Sequence, residues 1–188
     1  MNKLWFWCRI FVCSGILISC LNSSTNAQDS LQVHRANLYW VHVGFGGSSA
    51  GGAVGFGFSY RANSNLFSIR FNSCPEIVGI PGPSPTEYVA DIGVLYGINA
   101  ISSDFIASIA AGIGLAGGVR RGQFLYNSNF VTSVYEEESY TAVGIPIEAQ
   151  FCWTFSPAWG IEIYGFGQFN HQRSFGGGLL CVQYVVLL

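Results

Sequence analysis

The sequence predicts an all-β fold: an eight-stranded antiparallel up-and-down transmembrane β-barrel, preceded by a cleaved signal peptide. Three observations predict it. Large apolar residues alternate with Gly, Ala and Ser through segments near the roughly ten residues that a tilted spanning strand requires. Charged residues make up only 10% of the chain, where about 25% is usual, while Gly supplies 24 of its 188 residues. Aromatic residues recur at the segment ends, on the parity of the large apolar face.

The chain begins with Lys3 and Arg9 ahead of an apolar run from Ile10 to Leu21, followed by Asn22-Ser23-Ser24-Thr25-Asn26-Ala27. This is the three-part layout of a secretory leader. Cleavage after Ala27 makes residues 1–27 a signal peptide, 28–36 a short linker and 37–188 the barrel. The alternative is lipidation, because Leu17-Ile18-Ser19-Cys20 resembles a lipobox with Cys20 as the acylated residue. The apolar run is too short for a helix spanning about 30 Å of hydrocarbon.

Eight strands follow in order: Asn37 to Gly46, Ala50 to Arg61, Leu66 to Asn72, Tyr88 to Ala100, Phe105 to Arg120, Thr141 to Phe155, Trp159 to Asn170 and Gly176 to Val185. The second sets Val54, Phe56, Phe58 and Tyr60 against Ala53, Gly55, Gly57 and Ser59. The third sets Phe67, Ile69 and Phe71 against Ser68, Arg70 and Asn72. In the fifth, Phe105, Ile109, Ile113 and Leu115 oppose Ser108, Ala110, Gly112 and Gly114. Pro146 lies inside the sixth and removes a ladder donor, so a bulge or distorted pairing is expected there. The facing of Phe175, just before the eighth, is left open by its parity.

Alternation alone does not say which face points outward; connections and aromatics do. The even connections are tight (Ala62 to Asn65, Ile101 to Asp104, Ser156 to Ala158), while Cys74 to Glu87 and Arg121 to Tyr140 are long loops. Outer-membrane barrels show this parity of short periplasmic turns and longer external loops. Beside the short turns, Tyr39, Tyr60, Phe67, Tyr96, Phe105, Trp153, Phe155, Trp159 and Tyr184 share the apolar parity and form an interfacial girdle. Phe45, Phe71, Tyr88 and Phe169 form a thinner belt at the other end. A soluble lipocalin-like ligand carrier, the competing reading, requires that aromatic face to be inside.

With these features the chain resembles the small eight-stranded outer-membrane barrels of Gram-negative bacteria, the group of the OmpX-like proteins and the OmpA transmembrane domain. The resemblance covers about residues 37 to 188. It implies outer-membrane localisation, surrounding lipid and lipopolysaccharide, the barrel assembly machinery and an extracellular partner met through the loops. The chain departs from the terminal aromatic common in such barrels, ending Val185-Val186-Leu187-Leu188 with Tyr184 as the nearest aromatic.

After the leader the chain carries six arginines and ten acids, a formal charge of −4. It has no lysine and no basic stripe, so nucleic acid is excluded as an expected partner. Inward parity places Arg70, Asp91, Glu148, Gln150, Glu162, Tyr164 and Gln168, with Trp40 and His42, in the lumen, as a polar network that fixes register. Arg70 and Asp91 lie on neighbouring strands and are expected to bond. The carboxylates Glu148 and Glu162 suggest acid–base work only if a substrate cleft separates them, which a filled lumen does not offer.

The run Glu136-Glu137-Glu138 between Tyr135 and Tyr140 reads most simply as a solvated loop; its functional alternative is a loop that collects divalent cations near lipopolysaccharide, or meets a partner with Tyr135 and Tyr140 as anchors. The runner-up function is a lipid-modifying outer-membrane enzyme of the lipid A deacylase or acyltransferase kind, with His171, Ser174 and Glu138 as its triad. The segment lacks the H-x-S arrangement of such enzymes. Gly44-Phe45-Gly46-Gly47 lacks the helix and Lys-Ser/Thr of a phosphate loop. Among the cysteines, Cys152 and Cys181 are read as wall residues and Cys74 as a thiol opening a loop. No C-x-x-C spacing occurs, and no metal or cofactor is expected.

Overall fold

The computed structural model describes residues 37–78, 82–102, 104–128 and 133–186. The leader, the linker and Cys20 lie outside the described residues. Eight strands form a closed antiparallel ring in sequence order: β1 Asn37–Ser48, β2 Gly51–Ala62, β3 Asn65–Pro75, β4 Tyr88–Ile101, β5 Phe105–Tyr126, β6 Val134–Thr154, β7 Trp159–Asn170 and β8 Phe175–Val186. Closure runs through β1 and β8, from Tyr39↔Val186 to Ser48↔Gly177. No sheet edge is then left open along the wall, so its backbone polar groups find their partners within the ring except where β5 faces Pro146.

Period-2 alternation appears directly as exposure. Val54, Phe56 and Phe58 of β2 and Phe67, Ile69 and Phe71 of β3 are exposed, whereas Ala53, Ser59, Ser68, Arg70 and Asn72 are buried. The large apolar face is therefore outside, which removes the soluble-carrier alternative. The aromatic row is continuous over four strands: Tyr39 stacks on Tyr60 at 4.6 Å, Tyr60 on Phe67 at 6.4 Å, and Phe67 tilts against Tyr96 at 5.2 Å. Tyr60 and Tyr96 donate to the Oδ1 atoms of Asn37 and Asn65 at the short-turn end. Asn63 makes the β2–β3 turn in the left-handed region, with φ 58°.

Two expectations need correction. Cys74 does not open a loop: β3 runs on to Pro75, and Cys74 is buried. The loop expected over Arg121 to Tyr140 is mostly strand, because β5 and β6 pair as far as Tyr126↔Val134, with register shifts after Arg121 and after Phe124. Tyr135, Glu136, Glu137, Glu138 and Tyr140 thus belong to β6. Polar residues at the tip hid this extension, since a two-stranded ribbon above the wall has no buried face to demand alternation.

At Pro146 the expected distortion takes the form of lapsed pairing, without a bulge. Pairing with β5 lapses between Ala111↔Ile147 and Gly114↔Gly144, yet the register on either side is the same. The ring of Pro146 points inward, and Gly93 makes room for it: a Cβ at Gly93 would sit 2.9 Å from Pro146 Cγ. Phe175 faces inward, buried against Phe166 at 6.3 Å.

Candidate functional site

The lumen is filled in layers. Leu38, Trp40, Leu66, Leu95, Ile106, Ala110, Cys152 and Val185 close the short-turn half. Ala53, Cys74, Val89, Ala116, Phe166, Phe175 and Leu179 close the opposite half. The expected polar interior is thus a polar belt between two apolar plugs.

Arg70 organises one side of that belt. Its Nη2 donates to Asp91 Oδ2 at 2.7 Å and to Gly167 O at 2.8 Å, and its Nη1 to Ile147 O at 2.6 Å. Asn72 Nδ2 donates to the other oxygen, Asp91 Oδ1, at 3.0 Å. A single guanidinium on β3 thereby ties β4, β6 and β7 together, and its fixed fork of donors suits that task. The ring of Phe166 lies 6.0 Å from the Arg70 Cζ.

Glu148 organises the other side. Tyr164 Oη donates to it at 3.0 Å, Gln150 Nε2 at 3.3 Å, and Ser68 Oγ also bonds it. Trp40 Nε1 donates to Gln150 Oε1 at 3.3 Å, extending the chain to β1. His42 Nδ1 lies 3.5 Å from Glu162 Oε1, its ring against Tyr164 at 4.8 Å. Gly57 opposes His42, and a Cβ there would collide with the imidazole at 2.4 Å. Gln168 is buried but joins neither arm by a hydrogen bond among the described residues. Glu148 and Glu162 face a packed interior, with Tyr164 buried between the strands, so no substrate cleft separates them.

A second cluster lies at the rim beside the long connections, and parity gave no sign of it. Arg121 Nη1 donates to Glu76 Oε1 at 3.0 Å and its Nη2 to Glu76 Oε2; its Nε donates to Pro85 O at 3.0 Å. The Arg121 amide donates to Glu87 Oε1 at 3.1 Å, and Arg173 Nη1 lies 2.9 Å from Glu87 Oε2. The β3–β4 connection is thereby strapped to β5 and to the β7–β8 connection. Ser84 bridges Val134 in parallel, donating to Ser133 O and accepting from the Tyr135 amide. The Arg121 guanidinium, through its hydrogen bonds, holds the Glu76 carboxyl below the usual carboxylate range.

The imagined triad is not assembled. Ser174 Oγ is bonded to the Asn170 backbone, His171 Nε2 lies 3.3 Å from Gln172 Nε2, and Glu138 accepts from Arg120 Nε at 2.8 Å. Among the described residues no group of three or more His, Cys, Asp or Glu is placed to hold a metal ion. Glu136 and Glu137 point into solvent.

The ring of eight strands, its greasy outer face and its filled lumen define the fold of the small eight-stranded outer-membrane barrels. Among solved structures the chain is similar to Neisserial surface protein A (TM-score 0.55, 11% identity, 81% of this chain and 97% of that one). It is similar also to the N-terminal β-barrel domain of Pseudomonas aeruginosa OprF (0.52, 12%, 80% and 98%). A third is Ail, the attachment invasion locus protein of Yersinia pestis, in complex with the heparin analogue sucrose octasulfate (0.52, 16%, 80% and 99%). No family model matches the chain, and no curated protein matches it by sequence.

Proposed function

We propose that this protein resides in the outer membrane and acts at the cell surface, in surface interaction or envelope integrity, through the ribbon of β5 and β6 and the β3–β4 connection strapped to it. One observation carries the reading. Pairing of β5 with β4 ends at Tyr88↔Val119 and that of β6 with β7 at Gly144↔Asn170, yet β5 and β6 continue together to Tyr126↔Val134. The ribbon rises beyond its strand pairing with β4 and β7 and exposes Phe124, Leu125 and Tyr126, with Phe124 edge-on to Tyr135 at 5.6 Å. Exposed aromatic and apolar side chains beside exposed acids are the composition of a contact surface rather than of an idle loop.

The lumen supports a structural role: a polar belt between two apolar plugs leaves no path for solute. The rim arginines 120, 121 and 173 are each paired with a glutamate, so a polyanion is a poor fit and the available charge is that of Glu136 and Glu137. Surrounding lipopolysaccharide and the assembly machinery during insertion complete the set of partners.

Replacing Phe124, Leu125 and Tyr126 together by serine tests the reading. The variant should keep a boiling-dependent gel shift in the envelope fraction and lose adherence to extracellular surfaces or resistance of the envelope to detergent and chelator. Unchanged behaviour in every such assay would refute it.

A further inference from the structure

We infer that the lipid-facing wall carries a seat for one acyl chain of a membrane phospholipid, in a groove running across β4 to β7. The groove encloses about 560 Å³. Its floor is formed by Ala111, Ala149 and Gly165 on the outward parity, and its sides by Tyr96, Ile98, Ile109 and Ile147. Register explains the hollow. Ile109 pairs with Ala149 and Ala149 with Gly165, so one row steps from a large side chain to a methyl to none across three strands. In the next row Ala111 sits beside Tyr96. Around it the outward face is built of large apolar side chains that stand well exposed.

Packing within the wall does not require a glycine at position 165. A Cβ at Gly165 would meet nothing nearer than Ala149 O at 3.8 Å, whereas one at inward Gly97 would lie 2.0 Å from Ile109 O. The hollow is a feature of the outer surface and not a by-product of close strand contact.

The occupant follows from the surface that the groove interrupts. Apolar parity and the aromatic row commit this face to hydrocarbon, and the groove is continuous with it. Tyr96, on one side of the groove, belongs to the aromatic row, its phenol bonding Asn65 at 2.9 Å, the level at which headgroups lie. A phospholipid with its glycerol region at Tyr96 runs one chain over Ala111, Ala149 and Gly165. An unfilled hollow facing hydrocarbon forfeits dispersion contacts on one side, and a flexible methylene chain fills it without needing a polar partner. Glu148 borders the floor, but its carboxylate is turned to the lumen and bonded there to Tyr164.

The test uses the full chain in vesicles of phosphatidylethanolamine and phosphatidylglycerol, doped with a phosphatidylethanolamine that carries a diazirine at mid-chain. After photolysis, labelling at Ala111, Ala149 and Gly165 is compared by mass spectrometry with labelling at Leu180 and Val182 of β8, which are exposed on the outer face. Groove labelling should exceed that of β8 by about threefold or more. Ala149→Leu combined with Gly165→Leu should bring it down to the β8 level while the boiling-dependent gel shift persists. If that pair does not fold, Gly165→Val alone, whose Cβ makes only an ordinary contact with Ala149 O at 3.8 Å, serves the same comparison. Even labelling along the wall, labelling unmoved by filling the groove, or cross-links joining two copies of the chain across it would each overturn the assignment.

Discussion

Arg70 is the side chain on which most of the interior depends. It is buried with Asp91 and reaches two carbonyls on other strands, so its removal strands a buried carboxylate rather than merely losing a contact. Arg70→Leu should cost about 3–5 kcal/mol, read as a lower urea midpoint in vesicles. Arg70→Met with Asp91→Leu should recover most of that loss, because the uncompensated charge is then gone. Glu76 lies at the rim, where solvent screens the pair. Its folded-state pKa is depressed by Arg121, so its contribution is fully present above the unfolded carboxylate value of about 4.3 and disappears as pH falls through the folded one. The strap over residues 76–87 should therefore resist an acid-stable protease at pH 6 and be cut faster near pH 2, with Glu76→Gln cut at the fast rate at both. The energetic effect should stay below about 1 kcal/mol, as for other solvent-exposed pairs.

Among the elements, β4 and β5 show how tightly the wall is drawn. Gly97 faces Ala110 across the ladder, and a Cβ there would meet Ile109 O at 2.0 Å and Ala110 Cα at 2.6 Å. Backbone cannot swing aside as a side-chain tip does, so Gly97→Ala should destabilise by about 1–3 kcal/mol while Gly165→Ala should change little. Paired unfolding curves for the two variants check this contrast. The ribbon of β5 and β6 behaves differently. Above Tyr140 it packs on one loop and leaves its tip exposed, so its amides should exchange far faster than those of the paired wall.

At the scale of the whole molecule, outside and inside are reversed relative to a soluble barrel, and the bilayer is the reason. Ile163, exposed at 66% in mid-strand, should not accept a charge without penalty: Ile163→Arg should cost about 2–4 kcal/mol, as a cation on the lipid face near mid-depth does. Ile77, on the rim connection, is even more exposed at 80%, and Ile77→Arg should cost almost nothing. Unfolding in vesicles distinguishes the two, and equal tolerance at both sites would refute placement of the wall in lipid.

Strand number, order and facing were legible in the sequence because pleating repeats every two residues and lipid punishes any polar residue on the outer parity. The same parity named Arg70, Asp91, Glu148, Glu162 and Tyr164 as luminal, and the neighbouring positions of Arg70 and Asp91 were enough to pair them. What alternation does not encode is reach across the ring. The bonds of Arg70 to Gly167 O and of Trp40 to Gln150 join residues far apart in the chain, and only closure of the barrel brings them together. The strap of Glu76, Glu87, Arg121 and Arg173 was hidden for the same reason, since it depends on where connections cross the rim. The length of the ribbon was hidden for another: above the membrane neither side of a strand is buried, so nothing forces the residues of β5 and β6 to alternate. Local periodicity thus determined the wall, and tertiary closure alone decided the contacts within the lumen and over its mouth.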